Sequence, residues 1–222
     1  MCGRFVFFDV DKLSERFNLK SNIKLNLKPS YNITPTSDFP VIIMKDSVTL
    51  EMMKWGLIPN WAKELNVQNQ MINARAETLT VKPSFKNLIK SKRCLISSNG
   101  FYEWKKEDNK KIPFFISFKN MELFSFAGLY DIWKDPLNNR EYKSFTIITT
   151  KANSLISDIH DRMPVILKQE DEKIWLDNNI DDIKTLTNLL KPFDSDKMLM
   201  YRVSNKVNNP KNDFKELLGP IN

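Results

Sequence analysis

The chain has 222 residues, 41% of them hydrophobic, which predicts one globular domain over residues 1–222 with a substantial core. No run approaches the roughly 18 apolar residues of a membrane helix, so we expect no membrane association and a cytoplasmic location. The 34 lysines and arginines exceed the 27 acidic residues and give a net charge of +7, which is compatible with a polyanionic partner such as nucleic acid.

The cysteine and histidine content limits the available chemistry. The chain has two cysteines, Cys2 and Cys94, too few for a disulfide framework, and both are expected as free thiols. Any reaction that needs an imidazole must use the one histidine, His160. No zinc-ligand spacing and no glycine-rich phosphate loop occurs, so we predict neither a metal nor a cofactor.

The first residues carry a reactive group. Removal of Met1 would leave Cys2 with a free α-amine and a thiol two carbons apart. An aldehyde can condense with that amine to an imine, and attack by the thiol then closes a thiazolidine ring. Both groups are largely protonated at neutral pH, so a base and an acid would be needed nearby. The alternative is an ordinary frayed terminus in which Cys2 has no role.

The next segments predict a strand, a helix and a hairpin. After the first strand, helical spacing of apolar residues predicts a helix over residues 9–18. Residues 41–44 and 48–55 predict a β-hairpin. A loop over residues 55–61 then carries two tryptophans. We expect Trp55 in the core, whereas Trp61 is either a core residue or an exposed platform on which a base can stack.

Polar residues alternate in the following segment. If residues 72–78 are extended, Asn73, Arg75 and Glu77 share one face and could form a pocket wall, although simple surface exposure is the alternative. Residues 83–92 predict a short basic helix and residues 93–98 a buried strand. Asn99-Gly100 then predicts a tight hairpin turn.

Two further candidates lie in the second half of the chain. Glu103 stands between bulky aromatic residues, where desolvation would raise its carboxyl pKa and suit it to proton transfer; a wet strand face is the alternative. A short helix over residues 152–159 is expected to end at His160. Arg162 follows and is a natural phosphate ligand. A lone histidine is also often purely structural.

The remaining pattern predicts the fold class. Strands are expected over residues 112–118, 123–130, 144–150 and 198–203, helices over residues 170–176 and 181–190, and a polar tail over residues 204–213. We therefore predict an α+β fold, with a largely antiparallel β-sheet or open barrel as its core and with flanking helices. One basic cleft is expected on this core.

Six short motifs lie, in chain order, at residues 1–5, 31–35, 55–59, 73–78, 100–104 and 160–164. Each motif is weak alone, but together they run in register along nearly the whole chain. Taken together, they resemble the SOS-response-associated peptidase (SRAP) family of abasic-site-processing proteins.

The resemblance implies a protein that binds abasic sites in single-stranded DNA or at strand junctions, as a monomer. It would link Cys2 covalently to the ring-opened sugar, after exposure of Cys2 by an aminopeptidase or by self-cleavage. Glu103 would exchange protons at the α-amine, His160 would assist sugar-ring opening and Asn73 would hold the adduct. The DNA-contacting residues implied by the resemblance are Gly3, Arg4, Pro35, Trp61, Arg75 and Arg162, with Pro35 and Trp61 as a stacking wedge.

One departure and two alternative functions stay open. Ala62 stands where a bacterial member of the family has a second large aromatic residue, so the wedge is expected to be smaller. An N-terminal-nucleophile amidohydrolase is an alternative, because such enzymes also use a terminal cysteine with its own amine as base. A non-catalytic binder of single strands is the other.

Overall fold

Thirteen strands and four helices occur in the part of the chain that the computed structural model describes, which is residues 2–19, 27–64, 71–108 and 110–221. The helices are α1 (Val10–Phe17), α2 (Leu88–Ser91), α3 (Gln169–Leu176) and α4 (Ile183–Asn188). The strands are β1 (Phe5–Phe7), β2 (Ser30–Ile33), β3 (Asp38–Met44), β4 (Val48–Trp55), β5 (Asn73–Arg75), β6 (Arg93–Ser98), β7 (Gly100–Glu107), β8 (Lys110–Phe118), β9 (Phe124–Lys134), β10 (Glu141–Lys151), β11 (Arg162–Pro164), β12 (Ile166–Leu167) and β13 (Met198–Arg202).

Five strands close into a barrel in the order β10, β4, β3, β6 and β9. Closure is completed by β10, which pairs in parallel with β4 on one side and antiparallel with β9 on the other. Beyond β4, the last residues of β10 pair with β5 and β11. The α+β prediction is confirmed, and the barrel is closed rather than open.

The second sheet contains the start of the chain. Its strand order is β13, β8, β7, β1 and β2, which places β1 between two neighbours. Alternate residues of β1 face opposite sides: Phe5 packs against barrel residues, with ring centroids 4.9 Å from Phe39 and 5.1 Å from Trp55. Val6 faces a smaller cluster that includes Tyr102. Because both faces of β1 are buried, the residues next to Cys2 are held in place rather than frayed.

Two local predictions are wrong for physical reasons. Asn99-Gly100 is not a hairpin turn, because β6 and β7 belong to different sheets and Asn99 Oδ1 accepts the Phe8 backbone N–H at 2.9 Å. Gly100 is needed for close packing, since a Cβ there would lie 2.4 Å from Phe115 Cζ. Residues 154–159 form turns instead of a regular helix: Asn153 Oδ1 accepts the Ile156 N–H as a helix N-cap does, but the backbone that follows mixes i→i−3 with isolated i→i−4 hydrogen bonds.

The helices cover the outside of the barrel. Trp175 of α3 donates its indole N–H to the Cys94 carbonyl at 3.0 Å, which accounts for the burial of that cysteine beside a helix. The basic helix predicted over residues 83–92 is shorter, with only α2 helical. Among the described helices, none has the length and apolar character needed to cross a bilayer.

Candidate functional site

Cys2 lies at the junction of the two sheet systems. It is fully buried, and its backbone carbonyl accepts a hydrogen bond from Asn73 Nδ2 at 2.8 Å. Burial, and secondly the negative charge of Glu103, raise the pKa of the Cys2 thiol to about 12. Cys2, Asn73 and Glu103 therefore belong to one site, in which the thiol is protonated at neutral pH.

Glu103 reaches this site because β7 pairs with β1. Phe101 lies opposite Phe5, and the Tyr102 backbone N–H donates to the Arg4 carbonyl at 3.0 Å. The Glu103 side chain is 4% exposed, and its Oε1 accepts the Trp104 N–H at 3.2 Å. The prediction that the Glu103 carboxylate is buried is thus confirmed, and the alternative, a position on a solvent-exposed strand face, is wrong.

Asn73 comes from the barrel side, where β5 pairs with the end of β10. Its Nδ2 donates a hydrogen bond to the Cys2 carbonyl, while its Oδ1 is buried and has no hydrogen-bond partner in the described part of the chain. A buried acceptor without a donor is unfavourable, so this oxygen is suited to a donor on a bound molecule. Arg75, two residues on, is exposed and makes no side-chain hydrogen bond with another described residue.

The predicted polar face is shorter than expected. The strand ends at Arg75, and Glu77 lies in a 3₁₀ helix over Ala76–Thr78. Asn73 and Arg75 keep the alternation of an extended strand, but Glu77 leaves it. Its carboxylate instead pairs with Arg162.

His160 lines a small pocket. Trp104, Lys105 and Lys106 share this pocket, whose volume is about 280 Å³. The His160 Nδ1 accepts the Arg162 backbone N–H at 2.9 Å and also lies 2.9 Å from Asp161 Oδ1. Trp104, which follows Glu103 in the chain, is an aromatic residue among those that line this pocket. Trp104 was not proposed as a pocket residue from the sequence, although its place in the aromatic run around Glu103 could have indicated one.

The three predicted phosphate-binding arginines differ in their surroundings. Arg4 Nη1 donates to Asn32 Oδ1 at 2.7 Å and to the Val207 carbonyl at 2.8 Å, and burial lowers its pKa. Arg162 donates to both oxygens of Glu77. Arg75 alone among the three is exposed. Phosphate binding by Arg4 and Arg162 stays a prediction, because these guanidiniums are already engaged within the protein.

Trp61 projects from a loop that is anchored on the barrel. Its side chain is 62% exposed, whereas Trp55 is fully buried, which confirms the core prediction for Trp55. The Asn60 N–H donates to Asp131 Oδ2 at 2.8 Å, and Trp133 Nε1 donates to the Ala62 carbonyl at 2.7 Å. The loop therefore presents an aromatic face to solvent on a fixed base.

The other two predicted DNA-contact residues, Gly3 and Pro35, are only partly accessible to solvent. Gly3 is half-buried beside Cys2, and Pro35 is half-buried in the turn between β2 and β3. Asp131 and Ser144 were missed by the sequence analysis; they face each other across β9 and β10 and hold the tryptophan loop, with Ser144 Oγ accepting the Ile58 N–H. Isolated polar residues in otherwise apolar strands were the available signal.

The described residues contain no group of three His, Cys, Asp or Glu side chains that could hold a metal ion. What they bring together around Cys2 is a buried thiol, a buried carboxylate and a carboxamide, while the imidazole of His160 lines the pocket that contains Trp104.

A family comparison covers nearly the whole chain: the model of the SOS response associated peptidase (SRAP) family matches residues 1–210. The chain belongs to the SRAP family. This SRAP chain is 49% identical over 222 residues to the abasic site processing protein YoqW of Bacillus subtilis. The match covers 98% of this chain and 99% of that protein.

More distant relatives and a solved structure agree with this assignment. The SRAP chain is 32% identical to the abasic site processing protein HMCES of Xenopus tropicalis, over 87% of this chain and 67% of that protein. A crystal structure of a protein from Bacteroides thetaiotaomicron has a TM-score of 0.89 at 33% identity, covering 99% of this chain and all of the other. The SRAP fold is therefore shared along the full length.

Proposed function

We propose that this SRAP chain binds abasic sites in single-stranded DNA and captures the sugar aldehyde on Cys2. The names of its relatives support a role in abasic site processing. The observation that carries the proposal is the burial of Cys2 beside Asn73 and Glu103 at the start of β1. A terminal cysteine held among proton-transfer groups is suited to cyclic capture of an aldehyde.

The chemistry begins with the loss of Met1, which frees the α-amine of Cys2. The amine nitrogen attacks the aldehyde carbon of the ring-opened sugar, and one water leaves as the imine forms. The sulfur then bonds to the imine carbon while the thiol proton passes to the nitrogen. The product is a thiazolidine, and the net change is the loss of one water per cross-link.

Glu103 is the proposed proton carrier. Its buried carboxylate accepts a proton from the α-ammonium group and returns one to the departing hydroxyl group. The amine reacts first and the sulfur second, because the imine carbon is the electrophile that the sulfur attacks to close the ring. The free acceptor oxygen of Asn73 would hold the adduct through a hydrogen bond.

His160 is the proposed acid for opening the sugar ring. When its Nδ1 accepts the Arg162 N–H, the proton of the neutral ring resides on Nε2, which can then donate to the sugar oxygen. Arg75 and Trp61 are exposed and would contact the strand, by phosphate pairing and by base stacking.

The test compares the wild-type protein with Cys2→Ala and, as a matched control, Cys94→Ala. Intact mass first establishes that Met1 is absent. Each protein is incubated with an abasic oligonucleotide and with an undamaged one, and the products are separated under denaturing conditions. We expect a shifted band with the abasic strand for wild type and Cys94→Ala, with the summed mass less one water.

Cys2→Ala should give no band but should retain weak, salt-sensitive binding. A band with Cys2→Ala, or none with wild-type protein that lacks Met1, would contradict the proposal. Ammonia released from glutamine in place of cross-linking would favour the amidohydrolase.

A further inference from the structure

An ion pair connects the two segments that carry Asn73 and His160. Arg162 Nη1 lies 2.7 Å from Glu77 Oε1, and its Nη2 lies 2.9 Å from Glu77 Oε2. Nη2 also donates to the Thr149 carbonyl at 2.7 Å. Two parallel charge-assisted hydrogen bonds fix the guanidinium plane as well as its position. The hydrogen bonds that Arg162 donates lower the pKa of the Glu77 carboxyl, because they stabilise its charged form.

The backbone of the same arginine reaches His160. Its N–H donates to Nδ1 at 2.9 Å, which requires Nδ1 to be unprotonated. Asp161 Oδ1 is also 2.9 Å from Nδ1, but that contact requires a proton on Nδ1. A neutral imidazole can satisfy only one of these partners at a time. The other charged groups around this pocket are Asp158, Lys105 and Lys106.

We propose that Glu77 is a positioning residue for His160, acting through Arg162 to hold the imidazole in the form that carries its proton on Nε2. The expected effect of Glu77 on the rate of cross-linking rests on the proposed function, whereas its effect on which nitrogen of His160 carries the proton does not.

The short local backbone structure explains why the Glu77–Arg162 ion pair affects the position of His160. Strand β11 has only three residues and pairs with the last residues of β10, and His160 lies just before it in a series of turns. Arg162 is 8% exposed, so its side chain is the buried anchor of this short strand. Without Glu77, the guanidinium loses two of its hydrogen bonds, the turn can relax, and Nδ1 can donate to Asp161 instead.

The imidazole can be observed directly, because the chain has a single histidine. We would record the ¹⁵N–¹H imidazole spectrum of tag-free wild-type protein, of Glu77→Gln and of Glu77→Ala. The control is Glu51→Gln, which removes a carboxylate bound by Lys45 and Lys143 on the barrel. Wild type and Glu51→Gln should show the Nε2–H form, and both Glu77 variants a shift towards Nδ1–H. An unchanged His160 spectrum in the two Glu77 variants would overturn the proposal.

Kinetics then test the catalytic consequence. Glu77→Gln should slow cross-linking about tenfold, part of the roughly 100-fold or more that general acid catalysis can supply. The same change in a His160→Ala background should have no further effect, because the two residues act as one unit. Equal slowing in both backgrounds would show that Glu77 acts elsewhere and would refute the positioning role. Absence of cross-linking by wild type would instead refute the proposed function and leave the spectral result standing.

Discussion

The two sides of the site differ in how far they are exposed to solvent. The side built on β1 and β7 holds Cys2, fully buried, and Glu103, 4% exposed. The side built on the barrel presents Arg75 and Trp61, both exposed. Reactive groups gain from burial because it controls their protonation, whereas groups that meet a DNA strand must be reached from water. We call the buried part with Cys2 and Glu103 the chemical half of the site, and the solvent-exposed part with Arg75 and Trp61 its contact half.

Different forces hold the two halves in place. The chemical half is fixed by hydrophobic packing, with Phe5 set among Phe39 and Trp55. The contact half depends on side chains that bind backbone groups, such as Asp131 with the Asn60 N–H and Ser144 with the Ile58 N–H. Substitutions should therefore separate reaction from binding.

The largest expected effect concerns the reactivity of Cys2. With its pKa raised to about 12, the thiolate fraction near pH 7.5 is roughly 1,000-fold below that of an ordinary cysteine thiol. Because the pKa is raised, alkylation should accelerate as pH increases and should show no plateau near pH 9. Iodoacetamide labelling of the Cys94→Ala protein, followed by mass spectrometry, measures Cys2 alone. Labelling as fast as that of an unfolded control would show that the chemical half is open to solvent.

The next effect sharpens the role of Glu103. Glu103→Gln keeps the acceptor for the Trp104 N–H but cannot exchange protons, so cross-linking should slow by about 100-fold with binding unchanged. Glu107→Gln, an exposed change on the same strand, is the matched control and should leave the rate unaltered. Rates come from the growth of the denaturation-resistant band and affinities from fluorescence anisotropy. A normal rate in Glu103→Gln would remove Glu103 from the mechanism.

The smallest effect lies in the contact half. Trp61→Ala should weaken binding of single-stranded DNA by about tenfold, within the roughly 1 to 3 kcal/mol attributed to base stacking on an aromatic side chain. Trp61→Phe should retain most of the affinity because it keeps a ring. The cross-linking rate at saturating DNA should stay unchanged in both. Should Trp61→Ala lower that rate instead, the division between reaction and contact would be incorrect.

Much of the fold was predictable because its strands are long or strongly apolar. The hairpin of β3 and β4 and the buried strand β6 appear where the pattern indicated them. The failure at Asn99 has a tertiary cause: its side chain accepts a hydrogen bond from the distant Phe8 N–H, and the chain passes from the sheet of β6 to the sheet of β7. Residue spacing does not reveal which backbone group such a side chain will find.

For the candidate site, the sequence indicated candidate residues but not how they are arranged. Cys2, Glu103 and His160 stand out by residue type and by their neighbours in the chain. The commitment of Arg162 to Glu77 was not foreseen, because the two are 85 positions apart and meet only when β11 is laid against β10.

By itself, the sequence determined the fold class and the family, and it indicated which side chains are candidates for the reaction, since these depend on local pattern and residue chemistry. Tertiary structure alone decided that the barrel closes, that Cys2 is buried beside Glu103, and which arginine is left exposed. Those properties arise from strand pairing between distant segments, because pairing decides which side chains are buried together and which face solvent.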